Sequence, residues 1–311
     1  METNQTELPK SGLHVGEFDS DRSSIVQRFL DLWRYRELVY RLTAKNLKLR
    51  YKSSFLGFLW SLINPLLMML VYYLVFNVLL ATPVSPNCSE VSIGPDDTRA
   101  ALHCKIYNHY TAYILIGILP WNFTASSVVE GLMAVLGNAS IIKKVYFPRE
   151  VLAISNVLGL FINFLLALII LFAVIFLNNV QLTPFALLLP LLLLFHLLFM
   201  LGVALFLSAL VIYFRDLAVI MEVLITAWFF LTPILYTMED VYKEWNGIST
   251  AAVMYWINPM ASFIQTYRQI LFYGVNPEFF FTLRTCLTGL VTFILGYIFF
   301  IKTTRSIGER L

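Results

Sequence analysis

The stretch VLAISNVLGLFINFLLALIILFAVIFL, residues 151–177, contains no charged side chain. A helix needs about 20 predominantly apolar residues to cross the hydrocarbon core of a bilayer, so this stretch predicts a transmembrane helix. Five more apolar stretches are long enough to cross: residues 55–80, 111–136, 185–214, 217–236 and 285–301. These runs are continuous and lack the two-residue alternation of lipid-facing strands. We therefore predict an all-α, polytopic membrane protein with six transmembrane helices.

The overall composition agrees with this fold class. Hydrophobic residues make up 59% of the chain and charged residues 13%, whereas a soluble domain contains about half and about a quarter, respectively. This composition excludes an ordinary soluble protein. The sequence also contains no G-x-x-x-x-G-K-[ST] motif, so the chain itself does not bind a nucleotide through a P-loop.

Lysine and arginine residues lie mainly on one side of the predicted membrane. With the amino terminus inside, 17 of the 22 Lys and Arg residues precede residue 55, follow residue 301, or occupy the loops after the second and fourth predicted spans. Short cytoplasmic loops of membrane proteins carry an excess of these residues. We therefore predict that both termini are cytoplasmic.

Residues 237–284 contain a further apolar region that a single crossing does not explain. One crossing there would place the basic tail outside the cell, against the distribution of charge. Asn258 and Pro259 divide the region into residues 251–257 and 260–273, each too short to span. We predict that residues 251–273 form a re-entrant helix pair before the last span, and a pair lying flat in the interface is the alternative. Irregular backbone inside a membrane requires surrounding protein or water, so the pair is a candidate lining of a conduit.

The segment before the first predicted span has two parts. Residues 1–24 are polar and contain few aromatic residues, which predicts a disordered cytoplasmic tail. Residues 25–54 predict an amphipathic interface helix, because polar and apolar positions each recur every three or four residues from Leu32 onward. Such a helix either anchors the orientation of the chain at the membrane surface or docks a cytoplasmic partner.

The predicted cytoplasmic loop at residues 138–150, NASIIKKVYFPRE, has Tyr146 and Phe147 between cations. Large aromatic side chains suit the cleft of a partner better than a solvated turn. Pro148 fits the first turn of the helix that follows, where its missing N–H costs nothing. The loop therefore predicts either a short helix that lies parallel to the membrane and contacts a partner, or a tight turn with snorkelling aromatic side chains.

The predicted outer loop, residues 81–110, contains Cys88 and Cys104. Two nearby cysteines on the oxidising side of a membrane favour a disulfide, with free thiols as the alternative. His103 and His109 lie close by in the sequence. The spacing of these residues matches no common zinc site, so we predict no metal.

Ionisable side chains within the predicted spans are few: Glu130, His196 and Glu222. Charged groups within a membrane are costly and often functional. The two glutamates either face a conduit or pair with inner-loop cations such as Arg149 and Arg215, and His196 is predicted to be a hydrogen-bonded interior residue. The scarcity of charge argues against a proton-coupled pump.

Five sequence blocks carry a family resemblance. They are RYRELVYRLTAKNLKLRYKSSFLGFLWSLINPLL (34–67), IIKKVYFPRE (141–150), YFRDL (213–217), TPILY (232–236) and INPM (257–260). Together and in this order, they resemble the permease subunit of ABC-2 type exporters of polysaccharides and polyol-phosphate polymers, which move O-antigen, capsule and teichoic acid precursors. The outer loop is longer here than is common in that family.

The resemblance implies a transporter rather than an enzyme, located in the cytoplasmic (inner) membrane of a bacterium and in contact with membrane lipid. Two copies would form a homodimer with a channel for a lipid-linked glycan between them. Each copy would engage a separate ATPase subunit that binds ATP and Mg²⁺. The chain itself would carry no cofactor and would bind no nucleic acid.

By the same resemblance, the amphipathic helix and the 138–150 loop would contact the ATPase, and the 251–273 pair would form an outer gate. The predicted coupling residues are Arg34, Glu37, Arg41, Ile141, Ile142, Lys143, Lys144, Tyr146, Phe147, Arg149 and Glu150. The predicted gate residues are Asn258, Pro259 and Arg268.

Transport of a glycan makes further demands on side chains. Sugars present apolar C–H faces as well as hydroxyls, so aromatic rings with sparse hydrogen-bonding groups would line a smooth path. The predicted channel residues are Trp60, Tyr72, Tyr73, Trp121, Trp228, Phe229, Phe230 and Tyr236. Most of them lie in the first and fifth spans, which the resemblance places beside the channel.

Two other functions remain open on the sequence. An ABC-2 exporter of a small hydrophobic compound or lipid would also need an ATPase, and the response of ATP turnover to a lipid-linked glycan distinguishes the two exporters. An integral-membrane glycan enzyme would need a cluster of acidic or His residues at a membrane surface. The sequence shows no such cluster.

Overall fold

The computed structural model describes residues 33–52, 57–75, 104–106, 108–142, 144, 147–238, 244–245 and 248–304. The predicted tail at 1–24, most of the outer loop with Cys88, and the coupling residues Lys143 and Tyr146 lie outside the described residues. The side chains of Tyr72, Tyr73 and Ile141 also lie outside them.

The described part of the chain is almost entirely helical. The helices are α1 (Arg36–Tyr51), α2 (Trp60–Tyr73), α3 (Tyr110–Met133), α4 (Ala139–Ile142), α5 (Glu150–Leu177), α6 (Leu189–Leu210), α7 (Leu217–Leu231), α8 (Thr250–Ile257), α9 (Pro259–Arg268) and α10 (Phe279–Thr304). Short 3₁₀ segments occupy Gly57–Leu59, Leu136–Asn138 and Pro184–Leu188, and a π-helical turn occupies Gln269–Tyr273. Two-residue strands, β1 (Glu244–Trp245) and β2 (Ile248–Ser249), pair antiparallel.

Four described helical segments are long and apolar enough to cross a membrane: Tyr110–Met133, Glu150–Leu177, Pro184–Leu210 and Phe279–Thr304. They coincide with the second, third, fourth and sixth predicted spans. The prediction of an all-α, polytopic membrane protein is therefore confirmed. Helix α2 has 14 described residues and α7 has 15, and the total of six crossings stays a prediction.

Two helix boundaries differ from the predicted spans for identifiable reasons. Helix α7 ends at Leu231 rather than continuing to residue 236, because Pro233 forces the preceding Thr232 into an extended conformation with φ −102° and ψ 131°. Helix α10 begins before the charged Arg284 rather than after it. The Arg284 guanidinium lies 4.8 Å from the centroid of the Trp256 ring, and this cation–π contact stabilises the charge.

Helices α6 and α10 approach each other closely at glycine residues. A Cβ atom added at Gly296 would lie 2.1 Å from the carbonyl oxygen of Gly202, and one added at Gly202 would lie 2.4 Å from the carbonyl oxygen of Thr292. Small residues let helix backbones meet in this way within a membrane, where burial of apolar surface provides little driving force between helices. This contact fixes the last span against the fourth.

Helices α8 and α9 correspond to the two predicted pieces of the re-entrant pair, and they meet at Asn258. The side chains of Met260, Phe263 and Tyr267 on α9 are at most 1% exposed. A helix lying flat in the interface exposes one face to water, so this burial favours the re-entrant interpretation for α9. The depth of the pair in the membrane stays a prediction.

Candidate functional site

Helix α1 is held against α5 by hydrogen bonds between polar side chains. The amide of Asn46 donates to Oδ1 of Asn156. One turn further along α1, the hydroxyl of Tyr51 donates to Oδ1 of Asn163 at 2.9 Å. Together they fix the face of α1 that meets the third span, and hence the face that remains outside.

The outward face of α1 carries two of the predicted coupling residues. Arg41 Nε donates to Glu37 Oε1 at 2.9 Å, and these side chains are 75% and 69% exposed. Lys144 in the predicted coupling loop is also exposed. These three side chains are accessible to a partner in the chain as described. Their role in coupling stays a prediction.

Two other predicted coupling residues have structural contacts. Arg149 donates to the backbone carbonyl of Thr304, the last residue of α10, at 3.1 Å. Glu150 begins α5 and is 5% exposed. Phe147 is half-buried. These contacts connect the loop to the end of the last span, so movement of the loop would reach α10 directly.

Most of the predicted channel residues form one aromatic group, here called the aromatic cluster, around α7. The ring centroid of Trp121 lies 5.6 Å from those of both Trp228 and Phe229. Phe230 lies 5.3 Å from Phe229, and the hydroxyl of Tyr236 donates to the carbonyl of Phe230 at 3.1 Å. Trp121 is 4% exposed and Phe230 is 66% exposed. The cluster therefore has a packed inner end and an open outer end.

Asn258 links the end of α7 to the re-entrant pair. Its Oδ1 accepts from the indole N–H of Trp228 at 2.8 Å and from the backbone N–H of Met260 at 3.1 Å, which caps α9. Its amide nitrogen donates to the carbonyl of Leu231 and to the hydroxyl of Thr232. The predicted gate residue thus joins three elements in one network.

Arg268, at the end of α9, holds the segment that follows α7. It is fully buried, and it donates to the carbonyls of Pro233 and Ile234 at 2.6 Å each. Its guanidinium carbon lies 3.8 Å from the centroid of the Tyr113 ring. The sequence analysis named Arg268 as a gate residue without identifying its partners. The partners come from segments far away in the sequence, and no local pattern identifies them.

His196 lies inside the helix bundle. It is fully buried, 3.0 Å from the hydroxyl of Thr124 and 3.3 Å from that of Tyr267, and its ring stacks on Phe263 with centroids 4.9 Å apart. The prediction of a hydrogen-bonded interior histidine is confirmed. The contact joins α3, α6 and α9.

The described end of the outer loop contains one of the predicted disulfide cysteines. Cys104 is disulfide-bonded, whereas Cys286 is free and buried. The pairing of Cys88 with Cys104 stays a prediction, because Cys88 lies outside the described residues. Lys105 donates to the carbonyl of Tyr273 at 3.4 Å, and burial lowers the pKa of this lysine. The loop end therefore meets the end of the re-entrant pair.

Glu130 on α3 pairs with Arg50 on α1. The sequence analysis expected Glu130 either to face a conduit or to pair with inner-loop cations such as Arg149 and Arg215. It predicted neither Arg50 as the partner nor the polar side chains around this ion pair. Asparagine side chains from four helices surround two adjoining cavities, here called the asparagine groove. The groove is lined by Asn46, Arg50, Tyr51, Trp60, Asn64, Asn122, Phe123, Ser126, Glu130, Asn156, Asn163 and Phe164, among others. The available signal was the recurrence of polar residues on one face of α3 and on one face of α5.

Within the part of the chain that the structure describes, no group of three or more His, Cys, Asp or Glu side chains lies close enough to hold a metal ion.

Long apolar helices, the buried helix α9 before the last of them and an exposed basic helix ahead of the first define a multi-pass membrane protein. The chain belongs to the ABC-2 type transporter family, which matches residues 37–272. Its family resemblance is therefore confirmed. Members of this family are membrane subunits of transporters, so a catalytic enzyme is not supported.

Curated relatives agree with the family assignment. Two O-antigen export system permease proteins RfbA of Klebsiella pneumoniae are 31% and 32% identical, and each alignment covers 88% of this chain and 95% of the relative. An O-antigen export system permease protein RfbA of Myxococcus xanthus is 34% identical over 80% of this chain and 85% of its own length. The similarity thus extends over most of the chain.

Proposed function

We propose that the chain is the permease subunit of an ABC exporter that moves a lipid-linked polysaccharide or polyol-phosphate polymer across the cytoplasmic membrane. The observation that carries the proposal is the 31–34% identity to permeases named for O-antigen export. The aromatic cluster supports it, because stacked rings offer a sugar contact without deep binding wells. Teichoic acid and capsule precursors belong to the same class of cargo.

The functional unit that we propose is a homodimer. Helix α7 is apolar and exposes Val219, Val223 and Phe230, each between 66% and 69% exposed. A second copy of the chain would cover Val219 and Val223 and leave Phe230, at the open end of the aromatic cluster, beside the path of the polymer. Helix α2 would line the same path from the other side.

A separate ATPase supplies the energy in this proposal. It binds ATP and Mg²⁺ and docks on the cytoplasmic side, where α1 presents Glu37 and Arg41 and the 138–150 loop presents Lys144. Both termini are cytoplasmic in this arrangement, and the membrane is the inner one. Docking by charged side chains sets orientation and association rate more than affinity.

Reconstitution with the ATPase tests the function. The permease is expressed with the ATPase subunit encoded beside it, purified as a complex, and placed in liposomes with or without a lipid-linked oligosaccharide. We expect the ATPase to copurify and its ATP turnover to rise with the lipid-linked oligosaccharide but not with the free lipid carrier. A purified permease without ATPase contradicts the proposal, and an equal response to the free carrier indicates an exporter of lipid.

A further inference from the structure

The asparagine groove lies within one subunit, between α1, α2, α3 and α5. Its two cavities measure about 300 Å³ and about 390 Å³ and share Arg50 and Leu160 in their walls. Sites for small molecules in proteins occupy about 300–1,000 Å³. The groove is therefore large enough for a small polar ligand, and it is separate from the aromatic cluster around α7.

Each helix contributes its polar residues from one face. Asn122, Ser126 and Glu130 on α3 follow one another at intervals of four residues. Asn156 and Asn163 on α5 are two helical turns apart. Residues at these spacings lie on the same side of a helix. The polar side chains of α3 therefore share one face, as do those of α5, and both faces line the groove.

The polar face of α5 extends deep into the bundle. Helix α5 begins at Glu150, the end that the distribution of charge assigns to the cytoplasm. At a rise of 1.5 Å per residue, Asn163 lies roughly 20 Å from that end, within the apolar part of a bilayer about 30 Å thick. A polar group at that depth is costly unless it is hydrogen-bonded.

The hydrogen-bonding capacity of the groove exceeds what the protein uses. Asn46, Asn156, Tyr51 and Asn163 bond one another in pairs, but the Nδ2 atom of Asn163 is buried without a partner. Elsewhere in the described groove wall, the side chains of Asn64, Asn122 and Ser126 also have no hydrogen-bond partner. Side chains that served only to join helices would be paired with each other.

The charge of the groove favours a neutral ligand. Arg50 is the cation of the wall, and its ion pair with Glu130 offsets its charge. An anionic headgroup is bound most strongly by an uncompensated cation, and the described wall supplies none. Amides and hydroxyls instead match the alternating donors and acceptors of a sugar ring.

Aromatic rings complete the chemistry of the wall. Phe123 and Phe164 stack with centroids 5.3 Å apart and an interplanar angle of 5°. Trp60 also lines the groove and is 42% exposed. An aromatic face packs on the C–H face of a sugar, while the polar side chains bond its hydroxyls.

We propose that the asparagine groove is a saccharide-binding subsite within each subunit, which presupposes the export function proposed above. The groove holds one or two sugar units between the cytoplasmic end of α5 and the middle of that helix, on the side from which the polymer arrives. Asn122 and Asn163 bond the hydroxyls and Trp60 contacts a sugar face, while Ser126 lies beside them in the wall. Because the cation is neutralised, the subsite takes the sugar and not the phosphate of a lipid-linked glycan.

Protection from alkylation tests the subsite on the full-length protein. A cysteine is placed in the groove by Ser126→Cys in a Cys286→Ala background, and the protein is reconstituted in phosphatidylcholine nanodiscs. The rate of modification by N-ethylmaleimide is measured with glucose, galactose, mannose or rhamnose, and with inorganic phosphate. We expect at least one sugar to slow the reaction roughly threefold at twice its dissociation constant. Phosphate leaves the rate unchanged.

Two controls separate binding from indirect effects. Ser140→Cys places the reporter on an exposed residue of α4 outside the groove lining, and its rate should not respond to sugar. Asn122→Leu added to Ser126→Cys should abolish protection without lowering thermal stability, because Asn122 has no hydrogen-bond partner in the described structure. Retained protection in the Asn122→Leu protein overturns the proposal.

The remaining outcomes also decide the question. Protection by inorganic phosphate, or by phosphatidylglycerol in the nanodisc, identifies an anion or lipid site and overturns the proposal. Protection by none of the sugars overturns it as well. The alkylation assay uses the isolated permease, so its result does not depend on the ATPase. If ATP turnover of the reconstituted complex does not respond to the lipid-linked oligosaccharide, that result refutes the export function and not the groove.

Discussion

The asparagine groove and the junction between α7 and α9 contain similar polar groups but use them differently. In the junction, the side chain of Asn258 bonds five partners, and Arg268 bonds two carbonyls while its charge lies on an aromatic ring. Arg268 Nε is the one atom of these two side chains that is buried without a hydrogen-bond partner in the described structure. In the groove, several amides and a hydroxyl have no partner in the described structure. A nearly saturated network fixes geometry, whereas several surplus donors and acceptors are available to a ligand. The junction therefore has the features of a structural region, and the groove has those of a binding region.

The largest loss of stability is expected when Arg268 in the junction is replaced. In Arg268→Met, the carbonyls of Pro233 and Ile234 lose their donors while remaining buried, and the free energy of unfolding should fall by about 3 kcal/mol or more, since each abandoned acceptor costs about 1–3 kcal/mol. Thermal unfolding in detergent measures the loss. Arg284→Met is the matched control, because Arg284 lies at the edge of α10 and is only partly buried. Equal melting of the two variants would contradict the structural role of Arg268.

A smaller loss is expected at Asn258. Asn258→Ala removes the cap of α9 and the acceptor for Trp228, and it should lower the free energy of unfolding by about 1–2 kcal/mol, the usual range for a lost helix cap. Trp228→Phe removes the indole donor and part of the ring that contacts Trp121 but leaves the cap of α9 intact, and it should cost less. If both variants melt at the same temperature, the cap contributes nothing and the link to α7 explains the whole effect.

Local signals in the sequence predicted much of the fold. The uncharged stretch at 151–177 became α5, and Asn258–Pro259 divided α8 from α9 because a capping side chain and a proline act on adjacent residues. The fifth span was predicted to continue to residue 236, although Pro233 is visible in the sequence and α7 ends at Leu231. Span length was read from hydropathy alone, and hydropathy continues past the point where proline ends the helix.

The partners of the site residues were not predictable in the same way. Arg50 pairs with Glu130 across 80 residues, and Arg268 reaches 34 residues back to Ile234. Such pairings depend on how the helices are placed, which the periodicity of each helix alone does not specify. Periodicity does give the face: polar residues at helical intervals on α3 (Asn122, Ser126, Glu130) and on α5 (Asn156, Asn163) could have indicated a polar face before the structure was known.

The ion pair in the groove offers a way to change its selectivity. Arg50 and Glu130 side chains are 35% and 40% exposed, so Glu130→Gln should cost about 1 kcal/mol of stability or less. The substitution leaves Arg50 without its counter-ion. In the Ser126→Cys assay, inorganic phosphate should then slow alkylation, as it does not in the parent. Phosphate protection already present in the parent, or absent from both proteins, would contradict the argument from charge.

The smallest effect on stability is expected on the outward face of α1. Exchanging the charges with Glu37→Arg and Arg41→Glu preserves an ion pair one turn apart, and such pairs contribute about 0.2–0.5 kcal/mol, so melting should be unchanged. A partner that recognises the original order of charges meets like charges in the exchanged protein. We expect the ATPase to copurify poorly while the amount of permease in the membrane is unaffected. Because an anchoring role needs only cations near headgroups, undiminished copurification would show that α1 orients the chain and that the ATPase docks elsewhere.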